Sequence, residues 1–79
     1  MPTTKPVIAE SIEATDRELI IRVAGEDVRI LWEQCSPKLS AATYEQRAEA
    51  ERSPGGYGIH WSTIDEDLSV GPLVSANRG

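Results

Sequence analysis

Residues 18–33 read ELIIRVAGEDVRILWE, and this stretch decides the fold. Apolar and polar residues alternate over 18–24 and again over 27–33, a pattern typical of two half-buried strands. Because Gly25-Glu26 suits a two-residue type II′ turn, the two runs are predicted to form an antiparallel hairpin. A slip of one residue would turn every side chain to the opposite face, so matching apolar pairs favour this register. The predicted inward pairs are Val23 with Val28, Ile21 with Ile30, and Leu19 with Trp32.

The opposite face of this hairpin carries charge. The predicted register places Ile20 opposite Leu31, Arg22 opposite Arg29, and Glu18 opposite Glu33. Like charges directly opposite each other are unfavourable unless another group neutralises them. Either the face is solvated and its arginines are mobile, or an acidic segment of this chain or of a partner docks there. Four residues of this face are candidate contact residues: Ile20, Arg22, Arg29 and Leu31.

Weaker signals flank the hairpin. Loose alternation predicts a first strand over 7–14. Ser36-Pro37 has the residues of a helix start, and Thr43 with Gln46 has capping-box spacing. Residues 37–52 are therefore predicted to form one or two short helices.

The C-terminal part is expected to be an extended segment followed by a short helix over about 69–74, which Ser69 can cap. Together these elements predict an α+β fold. A small antiparallel three-stranded sheet (strands 7–14, 18–24 and 27–33) is packed by the short helices and by the C-terminal segment. Residues 1–79 are expected to be one domain, with residues 1–6 and 75–79 flexible.

Size and composition narrow the function classes. A chain of 79 residues buries a small core, so a partner is the expected supplement to its stability. The net charge of −5 repels phosphate backbones and anionic membranes, which makes direct nucleic-acid binding and membrane binding unfavourable. The single cysteine, Cys35, allows no internal disulfide, and no signal or membrane-spanning segment is recognisable. We expect a cytoplasmic protein without a cofactor.

Two features could carry chemistry. His60, the only histidine, could act as an acid, a base or a metal ligand, but such imidazoles usually need a second group to orient them. A structural or interaction role is favoured. The carboxylates of Asp65, Glu66 and Asp67 could attract a cation, yet they lack the ligand spacing of a calcium loop. They are instead expected just before or within the first turn of the C-terminal helix, where they would oppose its dipole.

The two tryptophans are expected to serve packing, since the chain has no phenylalanine. Trp32 falls on the inward face of the hairpin and is predicted to be core. Trp61 is either core or an interface anchor, and the core role is favoured because large aromatic rings dominate the burial of small cores.

The C-terminal sequence resembles a known family. Gly58-Ile59-His60-Trp61, followed by the run DEDLSV over 65–70 and by Leu73, is similar to the signature of the bacterial domain of unknown function 2442. The middle segment, Ser36 to Leu39 with Ala42, Thr43 and Arg47, is similar to that family's central helix. The chain departs from the family pattern at Ser62, where proline commonly follows the tryptophan, and at Gly71-Pro72.

The resemblance implies a fold and a bacterial setting, and it implies no activity. Family members are often encoded beside another small protein, an arrangement similar to toxin and antitoxin pairs. The leading hypothesis is a non-catalytic protein-interaction or regulatory module that binds a protein partner or itself. The alternatives are a small metal-dependent or acid/base enzyme centred on His60 and Asp65, and a nucleic-acid-associated regulator. The candidate residues are Ile20, Arg22, Arg29, Leu31, His60, Asp65, Glu66 and Asp67.

Overall fold

The computed structural model describes residues 7–77, which form two three-stranded antiparallel sheets and several short helices. The α+β class predicted from the sequence is confirmed. The first sheet contains, in order, β1 (Ser11–Ala14), β2 (Glu18–Val23) and β3 (Glu26–Leu31). The second contains β4 (Glu51–Arg52), β5 (Gly58–Trp61) and β6 (Glu66–Ser69). The helices are α1 (Trp32–Cys35), α2 (Pro37–Ser40), α3 (Tyr44–Arg47) and α4 (Val70–Asn77), with a 3₁₀ turn at Pro54–Gly56.

The central hairpin is confirmed, but its predicted register is wrong by two residues. The loop is Ala24-Gly25, with φ values of 52° and 79°, and two successive positive φ values define a type I′ turn. Gly25 therefore occupies the second loop position, whereas the prediction placed it first. A shift of two residues keeps every side chain on its predicted face, since the side-chain period of a strand is two.

The new register removes the predicted clash of like charges. Arg22 lies opposite Asp27, and Arg29 lies opposite Ile20. Glu18 lies opposite Leu31, so the predicted pair with Glu33 is also wrong.

The ends of the predicted strands also differ. The first strand begins at Ser11, four residues after its predicted start, and Ala9, before it, bonds outside this sheet: its N donates to Gly56 O at 2.8 Å. The third strand stops at Leu31, and Trp32 starts α1. Trp32 is nevertheless core, as predicted, since its ring is 1% exposed and its indole Nε1 donates to Thr15 O at 2.9 Å.

The two helix caps predicted in the middle of the chain are present. Leu39 N donates to Ser36 Oγ at 3.1 Å, with Pro37 in the first turn of α2. Thr43 and Gln46 form the reciprocal bonds of a capping box at the start of α3. The helices within the predicted 37–52 range are only one turn long, and its last two residues are the strand β4.

The second sheet was not predicted. Asp65 has a φ of 50° and closes a four-residue loop, after which Glu66 pairs with Trp61. The acidic run therefore lies in this loop and in β6, so its predicted position at the start of a helix is wrong. Aspartate tolerates the left-handed conformation better than most residues, which suits Asp65 to the last position of this loop.

The C-terminal helix is longer than predicted and runs over Val70–Asn77. Of the residues expected to be flexible, 1–6 and 78–79 lie outside the described residues, and 75–77 form the last turn of α4. None of the helices within residues 7–77 has the length and apolarity needed to cross a membrane.

The two tryptophans join the sheets. Their rings meet edge to face, with centroids 6.3 Å apart, an arrangement that aromatic pairs favour. Trp61 is fully buried, and its indole Nε1 donates to Arg47 O at 3.0 Å. The core role favoured for Trp61 is thus the observed one. Around the pair lie the other buried apolar residues, Ala9, Leu19, Ile21, Val23, Val28, Ile30, Leu39, Ile59, Val70, Leu73 and Val74.

Arg47 binds the helical segment to this core. Its Nε and Nη2 donate to Leu39 O and Ser40 O, both at 2.9 Å, and its guanidinium lies 5.4 Å from the centre of the Trp32 ring. Nearby, burial raises the pKa of the Cys35 thiol to about 11, although Arg47 opposes the shift. The thiol is therefore protonated at neutral pH, in keeping with an inert cysteine.

Candidate functional site

The outer face of the first sheet neutralises its own charges. Arg22 Nη1 donates to Asp27 Oδ1 at 3.1 Å, and Arg29 Nη1 donates to Glu18 Oε1 at 2.7 Å. Both arginines are well exposed, and exposed ion pairs of this kind contribute about 0–1 kcal/mol. The face therefore needs no acidic segment to balance its arginines.

The apolar members of this face differ in exposure. Ile20, in the central strand, is half-buried, whereas Leu31 at the end of β3 is 43% exposed. The apolar surface of this face thus lies toward β3 and away from β1.

The strand β3 forms one edge of the first sheet. Paired residues of an antiparallel ladder alternate between hydrogen-bonded and non-hydrogen-bonded positions. Trp32 N donates to Arg17 O on the β2 side, and Arg22 O accepts from Glu10 N on the β1 side. The first bond makes Arg17 and Trp32 a hydrogen-bonded pair at the end of the ladder between β2 and β3, and the second shows that the backbone of Arg22 faces β1. Alternation along β3 therefore directs the backbone N–H and C=O groups of Asp27 and Arg29 away from β2. We call these outward groups the β3 edge.

A cleft borders the β3 edge. It has a volume of about 440 Å³ and is lined by Glu26, Asp27, Val28, Arg29 and Asn77. Asn77 folds its side-chain amide back onto its own helix, where Nδ2 donates to Leu73 O at 2.8 Å. Within residues 7–77, no backbone hydrogen bond outside the strand ladders reaches Asp27 or Arg29 from across this cleft.

Most of the residues around this cleft were missed by sequence reasoning. Of the five, only Arg29 was a candidate. The hairpin register determines which amides point outward, and the predicted register was wrong. A type I′ turn at Ala24-Gly25 would have given the correct register, with Asp27 beside Arg22 on the outer face.

His60 lies on the outer face of the second sheet. Its Nδ1 is 2.7 Å from Asp67 Oδ1, and the cross-strand register places Glu51 on its other side. An ionised carboxylate only accepts hydrogen bonds, so Nδ1 is the donor. The Asp67 side chain is 75% exposed, and the pair is a surface contact rather than an enclosed site.

The three carboxylates of the acidic run lie in different surroundings. Asp65 is in the loop, where its carbonyl and that of Ile64 accept from Lys38 Nζ at 3.1 and 3.4 Å. Glu66 is half-buried and accepts from Asp67 N at 3.1 Å, while Asp67 contacts His60. No group of three or more histidine, cysteine, aspartate or glutamate side chains within residues 7–77 is placed to hold a metal ion.

The predicted candidates thus fall on two different sheets. Ile20, Arg22, Arg29 and Leu31 are on the first, and His60, Glu66 and Asp67 are on the second, with Asp65 in its loop. The enzyme hypothesis paired His60 with Asp65, but the hydrogen-bond partner of His60 is Asp67.

Two solved structures resemble this fold. A crystal structure of a protein of unknown function from Rhodospirillum rubrum matches with a TM-score of 0.80 and 24% identity, covering 95% of this chain and 93% of that one. A solution structure of an uncharacterized protein from Chromobacterium violaceum matches with a TM-score of 0.71 and 25% identity, covering 91% of this chain and 68% of that one.

A search of curated proteins found no match. The family model described as protein of unknown function DUF2442 matches residues 9–79. Since that match spans nearly the whole chain, the protein belongs to the DUF2442 family.

Proposed function

We propose that this chain is a non-catalytic protein-interaction module whose β3 edge accepts an extended strand from another polypeptide. The observation that carries the proposal is the outward direction of the Asp27 and Arg29 backbone groups beside an open cleft. Unpaired strand edges bind extended segments through main-chain hydrogen bonds, and neighbouring pockets supply specificity. Leu31, at the end of the same strand, offers apolar contact to the incoming segment.

The composition of β3 supports this role. Proteins protect sheet edges with charged side chains, especially lysine, and with proline, bulges or a covering element. Residues 26–31 contain neither lysine nor proline, and the charges of Asp27 and Arg29 are of opposite sign, so an incoming strand of complementary charge can pair with them. Within residues 7–77, the backbone bonds outside the strand ladders involve neither Asp27 nor Arg29.

The other edges of the two sheets are less suited to strand addition. At β6, the outward N–H of Asp67 is already bonded to Glu66 Oε1. On the β1 side, the chain preceding the strand is occupied, because Ala9 O accepts from Arg52 Nη1 at 2.9 Å. These contacts favour the β3 edge as the binding surface.

A narrower proposal is that the chain is the regulatory or antitoxin-like partner of a small co-encoded protein. That protein would occupy the β3 edge. The net charge of −5 favours a protein partner over direct contact with nucleic acid.

Affinity capture from the native host tests the proposal. The tagged chain is compared with Asp27→Pro, which removes one outward N–H from the β3 edge. Proline is tolerated on an edge strand where its nitrogen faces solvent. The matched control is Asp67→Pro, because each substitution removes one outward amide and one exposed side-chain contact, that of Asp27 with Arg22 or that of Asp67 with His60. Circular dichroism verifies that both variants fold.

We expect the chain to retain a polypeptide in stoichiometric amount, either a host protein or untagged copies of the chain. Asp27→Pro should lose this polypeptide, and Asp67→Pro should keep it. The proposal is contradicted if nothing is retained, or if folded Asp27→Pro retains everything that the original chain retains.

A further inference from the structure

The strand β3 is complementary in charge to a second copy of itself. Its sequence over 26–31 is EDVRIL, with Asp27 and Arg29 placed symmetrically about Val28. Two such strands, antiparallel about a two-fold axis at Val28, place Asp27 of each copy opposite Arg29 of the other. Opposite charges directly across an antiparallel pair are stabilising.

The direction of the backbone groups fits the same arrangement. Asp27 and Arg29 both direct their N–H and C=O groups outward, so they can form two hydrogen-bonded pairs across the axis. Val28 then meets Val28 of the second copy as a non-hydrogen-bonded pair, in which side chains approach more closely.

Other two-fold registers of this strand are worse. An axis at Asp27 places that carboxylate opposite itself, and an axis at Arg29 does the same with the guanidinium. An axis at Ile30 pairs Val28 with Trp32, which has left the strand and begun α1. The register about Val28 therefore has the best complementarity of these four.

The ion pairs within each chain would continue into a row of charges across such an interface. Within one chain, Arg22 bonds to Asp27 and Arg29 bonds to Glu18. A guanidinium has five donors and can serve two carboxylates. The joined outer face would then carry a row of alternating charge: Arg22 and Asp27 of one copy, followed by Arg29 and Glu18 of the other.

From these observations we infer that the occupant of the β3 edge is a second copy of this chain, which joins the two first sheets into one six-stranded sheet. This inference rests on the proposed function, because it uses the same edge. The cleft beside β3 is the space that the second strand enters.

Charge exchange tests the inference with purified protein alone. Asp27→Arg and Arg29→Asp each place like charges opposite each other in a symmetric dimer, whereas a heterodimer of the two variants has only opposite charges there. Sedimentation equilibrium should find a dimer for the original chain. Each single variant should dimerise more than about tenfold more weakly, since like charges at an interface are costly.

An equimolar mixture of the two single variants should recover the dimer. Asp67→Arg, on the edge of the second sheet, is the control and should dimerise like the original chain. If either single variant fails to fold, the double variant Asp27→Arg with Arg29→Asp restores complementarity and should dimerise.

A chain that is monomeric up to millimolar concentration overturns the inference, as do single variants that dimerise like the original chain or a mixture that stays monomeric. If the purified chain is monomeric while Asp27→Pro still loses a host protein in the capture experiment, the self-pairing is wrong and the proposed function stands. If Asp27→Pro loses nothing, both are wrong.

Discussion

The two sheets end in edges of different character. The first ends at β3, where the outward backbone groups of Asp27 and Arg29 lie beside an open cleft. The second ends at β6, where the outward N–H of Asp67 is bonded to a neighbouring carboxylate and the side chains are acidic. Within residues 7–77, the two edges therefore differ: the outward groups of Asp27 and Arg29 have no backbone partner outside the ladder, whereas the outward N–H of Asp67 is bonded. The difference at β6 comes from the side chain of Glu66, which accepts the hydrogen bond of the outward amide.

The largest expected effect concerns the core that holds both sheets together. Trp61→Ala should lower the free energy of unfolding by about 3–5 kcal/mol, because a buried aromatic ring is lost and a cavity remains. Trp32→Ala should cost a similar amount, since the rings contact each other and both are buried. Urea denaturation at low protein concentration measures both changes. A loss below about 1 kcal/mol, typical of surface substitutions, would show that the sheets do not share one core.

A smaller effect separates two glycines, one in each half of the chain. Gly56 has a φ of 77°, and an added Cβ would lie 2.6 Å from Ala9 O. Gly56→Ala should therefore cost about 2–4 kcal/mol, from left-handed strain and from overlap with the backbone. Gly25 has a φ of 79° but open space around it, so Gly25→Ala should cost only about 1–2 kcal/mol. Thermal unfolding of the two variants compares them, and an equal or reversed order would contradict the packing of residues 7–10 against the 3₁₀ turn.

The smallest effect concerns two exposed side-chain contacts, Arg29 with Glu18 on the first sheet and Asp67 with His60 on the second. Arg29→Gln and Asp67→Asn should each change the free energy of unfolding by less than about 1 kcal/mol in dilute protein, since both pairs are exposed. For the ion pair of Arg29 with Glu18, the change should shrink further at high salt because of screening. Urea denaturation measures the change. A loss of about 2 kcal/mol or more in either variant would contradict this account, because it would mean that the contact contributes substantially to the stability of the fold.

The first sheet was largely predictable, and the reason lies in its long alternating strands. Leu19, Ile21, Val28 and Ile30 all face inward as expected. The register was not predictable from this pattern, because a shift of two residues preserves both faces. It depended on Ala24 adopting a left-handed conformation that alanine seldom takes.

The second sheet was not predictable for a different reason. The strand β4 has only two residues, which is too short for any alternation to be recognised. The acidic run matched the charge expected at a helix start, and only the left-handed backbone of Asp65 reveals a loop before a strand. The candidate edge was also hidden, since the outward direction of the Asp27 and Arg29 amides follows from the register.

Residue-resolved hydrogen exchange of the original chain tests the central claim most directly. The amides of Asp27 and Arg29 are compared with the amide of Asp67 at low and at high protein concentration. We expect the exchange of Asp27 and Arg29 to slow as the concentration rises, because a second strand accepts or shields their N–H groups, while the exchange of Asp67 stays constant. Exchange at Asp27 and Arg29 that is independent of concentration, or slowing that is equal at all three amides, would contradict self-pairing through the β3 edge.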